Sequence, residues 1–165
     1  VADSFLVNEQ SGSLQNLRIV DKQNIVVELQ LDSSGTWYLV QPAPGIADLS
    51  QVGAAETQIN ALRIVSTLSD QLSLSEARLD NPDYNITLVF SGNIQHLIKV
   101  GAMTPSNSGY YVRYDDGKNY VISQAGVDAL LKLLTAPPYA ATQTPISTAT
   151  ETQSPTADLA TTPTP

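Results

Sequence analysis

Apolar and polar residues alternate through much of the first forty positions. Leu17 and Ile19 alternate with polar neighbours, and Ile25, Val27, Leu29 and Leu31 mark one face of a second strand whose other face carries Glu28 and Gln30. Ser33-Ser34-Gly35 predicts a turn. Thr36 to Val40 then reads as a third strand, with Trp37 and Leu39 set against Tyr38 and Val40. Pro42-Ala43-Pro44-Gly45 ends the alternation. Beyond it the period becomes helical. Asp48 stands at an N-cap position with Gln51 at the reciprocal capping-box position. Val52, Ala55, Ile59, Leu62 and Val65 follow at helical spacing, so a helix is predicted over residues 48–68.

Leu72 to Asp83 has no clean period and contains Asn81-Pro82, which makes it a connecting segment. Ile86, Leu88 and Phe90 alternate, Ser91-Gly92-Asn93 turns, and Ile94 to Val100 alternates again. After a loop at 101–109, Tyr110 to Tyr114 and Asn119 to Ile122 flank Asp115-Asp116-Gly117-Lys118, a strong hairpin signal. Ser123 is placed to cap a short helix in which Val127, Leu130, Leu131 and Leu134 share a face. The order is βββα followed by ββββα, which predicts an α+β fold with a mostly antiparallel sheet. The likeness of the two blocks in outline suggests an internal duplication. Residues 1–13 read as an N-terminal extension and 14–135 as a single domain. Residues 136–165 hold nine Thr, six of the ten Pro and no Lys or Arg. That composition predicts a disordered, surface-exposed spacer whose hydroxyl residues are acceptor candidates for O-linked sugars.

Charge and cysteine content narrow the chemistry. The chain has no cysteine, which removes disulfides, thiolate metal sites and cysteine nucleophiles. Sixteen acidic residues against eight basic ones give a net charge of -8, which argues against nucleic acid or an anionic lipid surface as the main partner. No apolar run approaches the ~20 residues of a membrane span. Val1 is not an initiator Met, so the chain is read as processed or truncated, which leaves room for a removed upstream signal or anchor; membrane contact is expected only through such a missing N-terminal anchor.

His96 is the only histidine and shares a strand face with Ile94 and Ile98, so it reads as a strand residue; catalysis would need an orienting carboxylate and a nucleophile. Asp80, Asp83, Asp115 and Asp116 form the close acidic pairs. Both pairs sit in turn contexts, where aspartate is favoured for its own backbone bonding. Asp115-Asp116-Gly117 lacks the spaced ligands of a calcium loop. The 101–109 segment lacks the glycine spacing and the Lys-Ser/Thr of a phosphate cradle. Asn85-Ile86-Thr87 fits a glycosylation sequon within a predicted strand. No catalytic residue, cofactor or metal site is assigned. Tyr110, Tyr111, Tyr114 and Tyr120, with Arg113 and Trp37, make up a candidate interaction surface, since Tyr, Trp and Arg dominate binding hot spots. Cross-strand aromatic packing explains the same tyrosines without a ligand. Tyr110 and Tyr111 point to opposite sheet faces, so they cannot share one platform.

Several segments, taken in order, carry a resemblance. Thr36-Trp37-Tyr38-Leu39-Val40-Gln41-Pro42 is followed by Ala47-Asp48; Leu79-Asp80-Asn81-Pro82 comes next. Val100-Gly101-Ala102-Met103-Thr104-Pro105 and Gly109-Tyr110-Tyr111-Val112-Arg113 complete the series. Over residues 14–134 this pattern resembles the bacterial domain-of-unknown-function family 4340. Arg78 and Ala102 depart from it, standing where the family has Gly and Asp. The resemblance implies an outward-facing domain behind one N-terminal membrane anchor, with no established activity. Some family members are encoded near gliding-motility-type ABC transporter components. The expected function is therefore a non-enzymatic extracytoplasmic module, an accessory or structural subunit of a cell-envelope assembly with protein partners. The alternative is a domain that binds polysaccharide or another ligand through a Tyr-rich sheet face.

Overall fold

The computed structural model describes residues 4–7, 12–68, 72–115 and 117–141. Alternation in the strands and helical spacing between them generate one antiparallel sheet with two helices. The strands are β1 (Leu14–Asp21), β2 (Val26–Leu31), β3 (Trp37–Gln41), β4 (Gly45–Ile46), β5 (Ile64–Thr67), β6 (Tyr84–Phe90), β7 (Ile94–Met103), β8 (Gly109–Tyr114) and β9 (Asn119–Ser123). The helices are α1 (Leu49–Asn60) and α2 (Gln124–Thr135). The sheet order is β4-β3-β2-β1-β6-β7-β8-β9-β5.

Every second strand residue enters one core. Leu17 and Ile19, Val27 and Leu29, Trp37 and Leu39, Ile86 and Leu88, Ile98 and Val100, Val112 and Ile122 form a single cluster with Val52, Ala55 and Ile59 of α1 and Val127, Leu130 and Leu133 of α2. Because strand side chains alternate between faces, both helices lie on the same side of the sheet. The opposite, helix-free face carries Asn16, Arg18, Glu28, Asn85, Thr87, Lys99, Arg113 and Asn119. The register aligns Val20, Asn85, Lys99, Arg113 and Asn119 in one row across five strands. The fold is thus α+β, as the patterning predicts.

The two halves repeat one plan on either side of the central β1–β6 pair. Each runs outward as a meander and returns through a helix of 12 residues. The segment after each helix then crosses to the far edge of the other half. After α1, Ile64 pairs with Ile122, and the Ser123 amide donates to the Arg63 carbonyl. After α2, Tyr139 bridges Ala47, and the Asp48 amide donates to the Pro138 carbonyl. The same interval along the chain separates Ala47 from Ile122, Asp48 from Ser123, Arg63 from Pro138 and Ile64 from Tyr139. The repetition extends to individual helix-entry hydrogen bonds.

Three local expectations need correction. The helix predicted over 48–68 stops at Asn60, and Ile64–Thr67 is strand β5. Arg63-Ile64-Val65-Ser66-Thr67 is rich in β-branched residues, and pairing with β9 overrides the helical spacing. Val65, expected in the helix core, is 52% exposed. Asp48 does cap α1, its side chain accepting from the Ser50 and Gln51 amides. The reciprocal half of the capping box is absent, because the Asp48 amide is already used by Pro138. In α2 the buried stripe runs through Val127, Leu130 and Leu133, while Leu131 and Leu134 are only partly buried; Ser123 makes no side-chain cap bond.

The folded region also reaches beyond residues 14–135. Leu6 and Val7 are buried, and the Leu6 amide donates to the Leu62 carbonyl. At the other end, Pro138 is buried and the Ala140 amide donates to the Ile46 carbonyl. The Tyr139 hydroxyl donates to the Ala43 carbonyl at 2.9 Å and accepts from the Ala43 amide at 3.2 Å. The remainder of the Thr/Pro tract, 142–165, lies outside the described residues, as does Asp116. Tyr139→Phe removes both hydroxyl bonds and is expected to lower unfolding free energy by about 0.5–1.5 kcal/mol. A denaturant midpoint unchanged from the parent protein would contradict this role for the segment.

Candidate functional site between the sheet and the second helix

The six aromatic and arginine residues singled out by sequence fall into separate places. Trp37 is buried in the core on β3. Five strand steps separate it from β8, about 24 Å at the usual spacing, so it cannot join the tyrosines. Tyr110, Tyr114 and Tyr120 lie on the helix side, half-buried against the core. Tyr111 and Arg113 are half-buried on the opposite face, where Arg113 lies between Lys99 and Asn119 in the register. No contiguous six-residue surface exists. Two smaller groupings on the helix side replace it.

The first lies between the sheet and α2. Tyr84, at the start of β6, and Tyr110, on β8, face Ala125, Asp128, Leu131 and Lys132 across a cleft of about 600 Å³. The Tyr110 hydroxyl donates to Asp128 Oδ1 at 2.7 Å. Alternation with Val112 sends Tyr110 to the helix side, and Asp128 follows the buried Val127 at the edge of the apolar stripe of α2. Burial, then the hydrogen bond to Asp128, then the charges of Asp128 and Tyr84 push the Tyr110 hydroxyl far above the usual phenol range. It therefore stays protonated and continues to donate. Asp128 and Lys132 have the spacing of a helical ion pair, yet among the described residues Lys132 makes none; the carboxylate is turned to Tyr110 instead. The sequence reading passed over Tyr84, Asp128 and Lys132. The available signal was an acidic residue bordering an apolar helical stripe.

The second grouping is at the β7–β8 end. His96 Nδ1 is 2.6 Å from Asp115 Oδ2, and Asp115 Oδ1 accepts from the Leu97 amide at 2.7 Å. The imidazole stacks on Tyr114 with ring centroids 5.2 Å apart and meets the edge of Phe90. His96 thus has an orienting carboxylate, supplied by the residue that also turns the hairpin. Of the other acidic pair, Asp80 accepts from the Asn81 amide, and Asp83 forms ion pairs with Lys22 at 3.1 Å and Arg78 at 3.4 Å. Among the described residues no group of three or more His, Asp or Glu is arranged to hold a metal ion. Likewise, no helix is long and apolar enough to cross a membrane.

Burial, with smaller contributions from Asp115 and Tyr120, raises the Tyr114 hydroxyl from the usual value of 10.0 to about 12. The folded state therefore holds this proton more tightly than the unfolded chain does. The associated stability is complete below pH 10 and is lost as the pH rises toward 12. Tyr114→Phe is expected to flatten that alkaline loss, read from urea midpoints across this range. An unchanged slope would refute the assignment.

The fold and cleft define an α+β domain in which one antiparallel sheet carries two helices on a single face. No known protein family, characterised protein or solved structure matches the chain.

Proposed function

We propose that the domain is a non-enzymatic module of a cell-envelope assembly, an extracytoplasmic accessory subunit that docks a protein partner on the helix-free face of its sheet around Tyr111 and Arg113. One observation carries this reading: both helices cover the same face, and the other carries a row of amide and basic side chains with the half-buried Tyr111 beside it, next to the 74–78 turn seated over Gly101 and to Arg113, whose Nε is buried. Tyrosine and arginine on a broad strand surface are well suited to a polar-rimmed protein interface. The surface location is supported by the Thr/Pro composition of the C-terminal tract and by the resemblance to an anchored bacterial family. The chemistry of the row favours an acidic or amide-rich partner surface.

The test is capture from the native envelope with the full chain and its Tyr111→Ala variant, together with cell fractionation. A specific co-purifying protein lost in the variant, and a membrane-associated pool, are expected. A wholly cytosolic pool, or capture indifferent to the substitution, would overturn the reading.

A further inference from the structure

We infer that the cleft bounded by Tyr84, Tyr110, Asp128 and Lys132 is a binding site for a neutral saccharide unit, on the face opposite the docking surface proposed above and independent of it. Its volume, about 600 Å³, lies within the range of small-ligand sites. Its polar groups are arranged around an apolar and aromatic lining. Tyr110 fixes one oxygen of Asp128 at 2.7 Å, and the second oxygen accepts no bond among the described residues. The Tyr84 hydroxyl and the Lys132 ammonium are also without hydrogen-bond or ion-pair partners among the described residues. The site therefore offers an oriented carboxylate acceptor, an ammonium donor and a hydroxyl that does either.

A vicinal diol matches this set, donating to the carboxylate while accepting from the ammonium. The C–H face of a pyranose ring then lies against the Tyr84 ring or the apolar surface of Leu131 and Ala125. An anion would meet the Asp128 carboxylate in a protein of net charge -8; a cation would meet Lys132. A neutral polyol satisfies both groups without an uncompensated charge. The Tyr110 bond contributes rigidity, since a carboxylate already held by a half-buried phenol loses little freedom when a ligand binds.

The experiment is a titration of the full chain with maltose, cellobiose and N,N′-diacetylchitobiose, each followed by amide chemical shifts, with glycine as a zwitterion arm. At least one disaccharide is expected to give a saturable shift centred on Ala125, Ala129 and Thr135. Asp128→Asn is expected to weaken that binding about tenfold, the usual worth of a hydrogen bond to a charged group. Tyr84→Phe, which keeps the ring and the packing, is expected to weaken it about threefold. Gln51→Ala, on the outer groove between the helices, should leave it unchanged. If Asp128→Asn does not fold, Tyr84→Phe alone decides. The inference is overturned if no disaccharide binds, if binding is indifferent to both substitutions, or if glycine binds and the disaccharides do not.

Discussion

Leu88→Ala is expected to lower the unfolding free energy by about 2–5 kcal/mol, the range for a fully buried leucine whose surroundings cannot collapse into the cavity. Leu88 has no solvent exposure and lies on β6, in the middle of the sheet. Leu17 is its partner on β1 and His96 on β7. Hydrogen bonding on both sides holds the strand in place, so the cavity persists. Against a typical domain stability of about 5–15 kcal/mol, such a loss is a large fraction. Val65→Ala is the informative control. A helix-core valine would be costly to truncate, whereas the half-exposed Val65 of β5 should change stability by no more than about 0.5 kcal/mol. Urea unfolding of both variants checks the pair. A cost below about 1 kcal/mol for Leu88→Ala, where a core truncation is expected to exceed it, would contradict the central packing.

Gly101→Ala is the second large effect. Gly101 is on β7, and an added Cβ would overlap the Ala77 carbonyl oxygen and crowd the Arg78 backbone. Alternation from Val100 directs that Cβ to the helix-free face, so the turn at 74–78 is seated there. The Ala102 amide fastens it, donating to the same Ala77 carbonyl at 2.9 Å. Neither obstacle is a flexible side chain, so relief requires the turn to lift. A cost of about 1–3 kcal/mol is expected, in the range of core overpacking. Faster hydrogen exchange at Ala77 and Leu79 should accompany it. Protection of these amides equal to that in the parent protein would show that the turn is not docked as described.

The strand faces were legible because alternation is a local property. Val27 and Leu29, Ile86 and Leu88 needed only their neighbours to be placed. The Ser33-Ser34-Gly35 turn and the β8–β9 hairpin were likewise readable from their residue types. What escaped depends on partners distant in sequence. Ile64–Thr67 carries helical spacing and strand composition together, and pairing with β9 decides between them. Tyr139 looked like part of a Thr/Pro tract because its partner, Ala43, is 96 residues away. The same limit applied to the sites. Alternation correctly separated Tyr110 from Tyr111, but no local pattern joins Tyr110 to Asp128 or His96 to Asp115. Each of those pairs depends on how an element returns to the sheet.

The crossed segments also bear on synthesis. A nascent chain, emerging N-terminus first, completes β1 to β4 and α1 well before residues 137–140 are available. Until then the backbone of β4 has no neighbour from those residues, and Pro138 has not yet reached the Asp48 amide. An open strand edge of this kind invites pairing with other chains. The half made first therefore waits on residues 137–140 of the half made second. Productive folding is tied to completion of almost the whole domain, and stalled or shortened chains would present that edge to one another.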